Sequence, residues 1–496
     1  MSNATTRVKN GIRYPTKNGW HQISVWGEPY ERGYAHGLLL SGEIKESIDT
    51  FKFALYDSHG LPFDFFVEAS NFLFKEKIKK NYAKLFEELK GIADGANKND
   101  ANNITLDELI LWNNMFSIDY AMSYLRENAD KVHTMSSKNK DLIRSIGSST
   151  LEGGADDRCS AFMAIGDYTK DGKICCAHNT FCNFVVGQFS NCVITVTPST
   201  GDGHKTMYQG NPGYICSGTD FFITSNGFIG TETTIGGFFA YENLDPICCR
   251  IRTCMQYAET LDDYVKYLEK NNSGDYANSW LIGDTNTNEI MRIELGLHYK
   301  NVEKLKNGYF IGFNAPYDAR IRNLECVNTG FDDVRRHQGA RKVRLEELME
   351  EHKGNLDTTL AKRIIGDHYD VYLHKVNPCS RTCCSHYDLD DRAFMSQADR
   401  PLPYQPRGAV DGMVTDSDMT KQGKFIGKWG SSCDIPFDKK EFTKKHIQWK
   451  RFAPYLKDRP NMSWTVFSGF EHDTKRDDTK KKTRRYSNKK TLKKRG

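Results

Sequence analysis

No run of about 18 apolar residues occurs anywhere in the 496-residue chain, so the sequence offers no helix long and apolar enough to span a bilayer. Its opening residues, MSNATTRVKNGIRYPTKNGW, hold no apolar core of the kind a secretory signal needs, and no signal peptide is visible there. No C-x-x-C pair occurs among the 14 cysteines, which removes the usual spacing of a structural zinc framework. The cysteines therefore read as reduced, buried small hydrophobes, in the cytoplasm or another reducing compartment. Glycosylation triplets begin at Asn3, Asn103, Asn271 and Asn461, and matter only on a secretory route.

The chain does have enough apolar residues, 38% hydrophobic and 12% aromatic, to bury a large core as one large domain or two to three ordinary ones. Charge is unevenly placed. From Asp473 onward 12 Lys and Arg stand against 3 Asp, so a mildly acidic body carries a basic tail. Residues 475–496, KRDDTKKKTRRYSNKKTLKKRG, are too polar to bury a core and read as disordered. Such a tail suits nucleic-acid or anionic-surface contact, nuclear or particle association, or solubility alone.

The stretch 156–181, DDRCSAFMAIGDYTKDGKICCAHNTF, organises the rest. Two β-rich runs flank a Lys170-Asp171-Gly172-Lys173 turn, a strong hairpin signal. The hairpin returns His178 and Asn179 to the neighbourhood of Cys159, and a thiol, an imidazole and an amide so gathered form a candidate nucleophile site. Alternation along a strand lets only one of His178 and Asn179 face the thiol, and His178 is favoured. Upstream, residues 20–26 alternate as a strand, 64–98 carry apolar residues at helical spacing, and Thr105 to Glu108 form a capping box that opens another helix. Glu31, Arg32 and His36 either approach the site or simply organise a turn and a helix start. Residues 126–157 are polar and read as an exposed linker before Cys159. Beyond 159, short β-runs at 191–197, 221–226, 228–234 and 279–284 and a helical stretch at 246–270 favour an α+β fold over strict βα alternation.

Several of these segments carry a resemblance. Cys159-Ser160-Ala161 followed by Ala177-His178-Asn179-Thr180-Phe181, Gly227 to Gly236 with Glu232-Thr233-Thr234, and Asn272 to Asp284 with Tyr276, Asn278 and Trp280 are together similar to the phospholipase B-like proteins. They also resemble the related acyltransferase and amidase group of N-terminal-nucleophile (Ntn) hydrolases, of which acyl-CoA:6-aminopenicillanate acyltransferase is a type. The opening Gly27 to Gly37 and shorter matches at 313–322, 380–391, 408–419 and 448–470 extend the resemblance over about 14–470. It implies a four-layer αββα sandwich of antiparallel sheets, with a helical segment 1–158, an Ntn-hydrolase core 159–470 and the tail 471–496 outside it. It also implies that the bond between Arg158 and Cys159 is self-cleaved, leaving chains of 158 and 338 residues. Arg158 departs from the small residue common at that place.

The chemistry follows from a terminal cysteine. A free α-amine titrates near pH 7.7–8.0 and can take the thiol proton. The resemblance carries over Cys159 as nucleophile, His178 as a site residue and Asn278 as donor to the oxyanion, with Asn179, Glu232, Thr233, Arg320 and His386 as supporting or substrate-binding residues. No metal and no cofactor is implied. The expected activity is acyl transfer to water or an amine through an acyl-enzyme on Cys159, from a linear amide or, as the alternative, a lipid acyl ester. A catalytically retired protein that holds nucleic acid through its tail is the non-enzymatic alternative.

Overall fold

Neither strand of the central hairpin alternates apolar with polar residues, and along Cys159–Gly166 and Gly172–Asn183 nearly every position is buried. A strand buried on both faces must lie between two packed layers. The computed structural model, which describes residues 4–98, 102–145, 159–327, 329–391 and 403–470, places the hairpin in that situation. Arg158, the second half of the 126–157 stretch and the basic tail 475–496 lie outside the described residues.

Two large sheets form among the described residues. One runs in the order Thr6–Val8, Gly11–Arg13, His21–Gly27, Cys192–Pro198, Thr206–Gly210, Phe221–Thr224, Phe228–Thr234, Asn278–Asp284, Glu289–Leu295, Lys300–Leu305. The other runs Gly308–Gly312, Cys159–Gly166, Gly172–Asn183, Asp411–Asp416, Lys424–Trp429, Thr465–Ser468, with Arg407–Ala409 pairing the end of the hairpin's second strand. Pairing is antiparallel throughout these sheets except between His21–Gly27 and Cys192–Pro198, which run parallel. That exception to the expected antiparallel pattern arises because helices and the hairpin intervene between the two strands, a crossover of the length parallel pairing needs. The strands before residue 30 thus belong to the same sheet as strands beyond 190, so the segment before Cys159 is built into the core.

The two faces of the hairpin have different neighbours. Ala161, Met163, Ile165, Ile174 and Cys176 join a core shared with the larger sheet, where Gly283 leaves room for Met163 and Ile174. Phe162, Ala164, Cys175 and Ala177 instead pack against Leu345, Leu348, Met349, Ile364 and Ile365 from the helices His337–Glu351 and Thr358–Ile365. The capping box forms as expected, Thr105 and Glu108 each closing on the other's backbone at the start of Leu106–Asn113. The helical spacing over 64–98 becomes several pieces, with a break at Tyr82, where Asn81 Nδ2 and the Tyr82 hydroxyl bond Asp245 at 2.8 and 3.1 Å. Of the 126–157 stretch, Ser137–Ser145 is helical, and Val132, Met135 and Ile143 are buried, which anchors its first half.

Arg32 and His36 take the organising role. Arg32 forms a buried ion pair with Glu88, which also holds Arg252, and His36 Nε2 accepts the Gly213 N–H at 3.0 Å. They sit on Pro29–Leu39, which meets Ala83–Ala96 backbone to backbone. A Cβ at Gly37 would lie 2.0 Å from the Ile92 carbonyl oxygen, and one at Gly95 2.1 Å from that of Tyr34. Gly37→Ala is expected to force these helices apart and lower stability by about 1–3 kcal/mol or more, read as a fall in the urea midpoint at unchanged slope. Burial holds His36 neutral and lowers its pKa from 6.5 to about 4, more than Glu88 raises it. A histidine held neutral in the folded state contributes stability above its unfolded pKa that is lost as pH falls toward the folded one. Unfolding free energy should therefore decline between pH 6.5 and about 4, and His36→Gln, which still offers an acceptor to Gly213, should flatten that slope by up to about 3 kcal/mol. An unchanged slope in denaturation at stepped pH would remove His36 from the account.

Candidate functional site

Cys159 begins the first hairpin strand with its side chain on the face turned toward the larger sheet, and it is 1% exposed. Its backbone N–H points to Asn314 Oδ1 at 3.3 Å, and its Sγ lies 4.0 Å from Glu232 Oε1. Its carbonyl oxygen accepts from Arg341 Nη1. Asn314 follows the strand Gly308–Gly312 with a left-handed backbone (φ 67°), a conformation asparagine tolerates better than most residues. That turn brings its amide between the sheets. Nδ2 donates to the Thr234 carbonyl at 2.7 Å, and Oδ1 also accepts from Arg341 Nη2 at 2.7 Å. Arg341 is fully buried, donates to Ser160 Oγ at 3.1 Å and lies over the Phe181 ring. Asn314 and Arg341 were not singled out by the sequence. Asn314 stands in the same 313–322 match as Arg320, and the better signal there was an asparagine just after a strand.

Glu232 comes from Phe228–Thr234, whose register sets it opposite Trp280 and sets Thr234 opposite Asn278. Glu232 and Asn278 therefore share a face. The Tyr276 hydroxyl lies 3.1 Å from Glu232 Oε1 and 2.9 Å from Asp220 Oδ2, so a phenol whose single proton the two carboxylates share stands beside the carboxylate nearest the thiol. Asn278 is fully buried, and neither of its amide atoms has a hydrogen-bond partner among the described residues. A buried side-chain amide is seldom left so, which marks it as a group with bonding capacity in reserve. Thr233 lies on the other face of its strand and packs against Gly312, where a Cβ would meet its Cγ2 at 2.4 Å.

Within the hairpin Cys159 opposes Thr180 and Ala161 opposes His178, so the imidazole stands one pair further along the face that carries the thiol. His178 is fully buried, its ring nitrogens have no hydrogen-bond partner among the described residues, and burial pushes its pKa down to about 3. It is neutral at physiological pH. Asn179 lies on the opposite face, where its Nδ2 binds the carbonyls of Ile365 and Cys383 and Ser432 Oγ at 2.9 to 3.2 Å. Strand alternation thus separates the two neighbours as expected. Two further candidates lie elsewhere. Arg320 is an exposed side chain that pairs with Asp318 and donates to the Lys300 carbonyl. His386 stands with Cys384, Cys433 and Asp388, beside the end of the hairpin's second strand and on its Asn179 face.

The family described as Phospholipase B matches residues 30–467. The chain is similar to a phospholipase B of Crotalus adamanteus, 27% identical over 256 residues, 45% of this chain and 42% of that protein. It is 24% identical over 263 residues to an uncharacterised protein of Archaeoglobus fulgidus, 52% of this chain and 40% of that one. It is 21% identical over 422 residues to phospholipase B-like protein C of Dictyostelium discoideum, 77% of this chain and 70% of that protein. The first two similarities thus span about two fifths of the relative's length.

The Arg341 fork predicts its own test. Arg341→Lys keeps the charge but not the planar array of donors. Its loss leaves buried acceptors on Cys159, Ser160 and Asn314 short of partners. We expect a destabilisation of about 1–3 kcal/mol in chemical denaturation, the range for leaving a buried hydrogen-bonding group unsatisfied. A change under about 1 kcal/mol would mean that the fork holds nothing in place.

Proposed function

We propose, for a chain that belongs to the phospholipase B family, a hydrolase that cleaves acyl esters of lipids through Cys159. The observation that carries this reading is the setting of Cys159, with its thiol 4.0 Å from Glu232 Oε1 and its backbone nitrogen 3.3 Å from Asn314 Oδ1. Family membership weighs for a lipid ester over the linear amide, and the geometry itself is indifferent to the leaving group. The packing of helices on the outer face of the hairpin, and of the larger sheet on its inner face, supports the four-layer Ntn sandwich as the architecture behind this chemistry.

In this reading the thiol of Cys159 first attacks the Arg158 carbonyl. The acyl group moves from nitrogen to sulfur, and water cleaves the thioester. The nitrogen beside Asn314 is then a free α-amine, with Asn314 Oδ1 placed to orient it. The amine takes the thiol proton, sulfur attacks the ester carbonyl, and Asn278 Nδ2 donates to the oxyanion. The amine returns its proton to the leaving alkoxide, then activates the water that hydrolyses the thioester. His178, neutral in its apolar surroundings, fills and shapes the site beside the nucleophile, while Glu232, beside the Tyr276 hydroxyl, fixes the direction of the S–H.

Intact-mass spectrometry and fatty-acid release from phosphatidylcholine vesicles test this together. Wild type should yield chains of 158 and 338 residues and release fatty acid. Cys159→Ala should remain one chain and lose turnover by on the order of a thousandfold or more. Asn278→Ala should lower kcat by about a hundred- to a thousandfold, as for loss of one oxyanion donor. Normal turnover by Cys159→Ala would overturn the site. Release of acyl groups from amides but not from phospholipid would return the substrate to a linear amide. Salt-dependent polyanion binding that vanishes on deleting 475–496, in a wild type without turnover, would favour the non-enzymatic reading.

A further inference from the structure

Behind the hairpin, on the face away from Cys159, four side chains converge from three separate segments. His368 follows the helix Thr358–Ile365, Cys384 and His386 lie in the loop that precedes Arg407–Ala409, and Cys433 follows the strand Lys424–Trp429. One ligand-type atom from each lies within 4.8 Å of all the others. His386 Nε2 is 3.2 Å from Cys433 Sγ and 3.7 Å from Cys384 Sγ. Tetrahedral zinc with arms of about 2.3 Å to sulfur and about 2.05 Å to nitrogen has S···N edges of about 3.6 Å, so the two observed edges bracket the one such a centre requires.

We propose that His368, Cys384, His386 and Cys433 form a Cys2His2 site that binds one zinc ion in a structural role. Two thiolates and two imidazoles in tetrahedral array are the donor set that selects zinc over harder cations. Four protein ligands leave no open position, which makes the site structural rather than catalytic.

The surroundings are those of a built site. His386 Nδ1 lies 3.2 Å from Asp388 Oδ1, the carboxylate contact that fixes the tautomer and leaves Nε2 to bind metal. His368 Nε2 is buried and has no hydrogen-bond partner among the described residues. The loop is held before any metal arrives. Arg381 forks onto Asp370 through Nε and Nη2 at 3.1 and 2.6 Å, and Ser380 Oγ donates to Asp390 at 2.7 Å. His368 and Cys433 are half-buried, which gives an ion a way in. The position also explains what the ion would do. Asn179, beneath the cluster, bonds Ile365, Cys383 and Ser432, each within three residues of a ligand. The ion would close from outside the three segments that Asn179 gathers from inside.

The test uses the full chain, freed of any affinity tag and purified under reductant. Elemental analysis should find about one zinc per chain, and cobalt(II) replacement should give the intense visible bands of a tetrahedral thiolate centre. Both should be lost in a Cys384→Ser, Cys433→Ser double variant. If that variant fails to fold, Asp388→Asn, which keeps all four ligands, should weaken zinc about 10- to 100-fold in competition with a chelator. Well under one zinc per chain with no cobalt bands overturns the proposal. A freshly isolated chain two hydrogens lighter, with Cys384 and Cys433 joined in one peptide, overturns it in favour of a disulfide.

Discussion

The guanidinium of Arg341 is the contact on which the candidate site depends. It reaches from the helix His337–Glu351 to the Cys159 carbonyl, Ser160 Oγ and Asn314 Oδ1. Asn314 passes the connection on to the Thr234 carbonyl at 2.7 Å. Three layers are thereby joined at Cys159, namely helix, smaller sheet and larger sheet. A planar, permanently charged donor suits this place, since it satisfies several oxygens at once and cannot lose its proton. Where the thiol sits is thus decided by buried polar bonds, whose geometry is far stricter than that of apolar packing.

The hairpin separates two tasks through the alternation of its side chains. One face presents Cys159 and His178 to the larger sheet, and the other presents Ser160 and Asn179 to the helices and the loop at 379–391. Because pairing fixes the register, a change on the bracing face moves the Cys159 face only through the backbone of the same two strands. His386 belongs to the bracing side. Its inclusion among the sequence candidates came from a short match, and no periodicity in the chain reveals which face of a distant strand a loop histidine will meet.

Much of the fold was legible because it is local. The Asp171-Gly172 turn and the Thr105 capping box each rest on contacts within a few residues, and the strand Phe228–Thr234 is half of a short hairpin with Phe221–Thr224. What remained hidden depends on distant contacts. Asn314 and Arg341 act on Cys159 across 155 and 182 residues. The Cys384, His386 and Cys433 cluster carries no C-x-x-C signature, since its two cysteines arrive on separate loops. The break at Tyr82 likewise meets Asp245, a partner that no helical spacing near residue 82 announces. Arg320 illustrates the opposite error, a charged residue in a matching segment that turns outward to pair with Asp318.

The site is costly to fold. Glu232, His178 and Asn278 are fully buried, and the last two leave polar atoms without partners among the described residues. Each such group costs about 1–3 kcal/mol, a large share of the net stability of an ordinary domain. The offset lies elsewhere, in the glycine-lined contact of Pro29–Leu39 with Ala83–Ala96 and in the core continuous from Trp20 to Phe467. Replacing the unsatisfied groups by apolar ones of the same shape would stabilise the chain. An apolar frame thus carries a partly unsatisfied polar centre at the start of one strand.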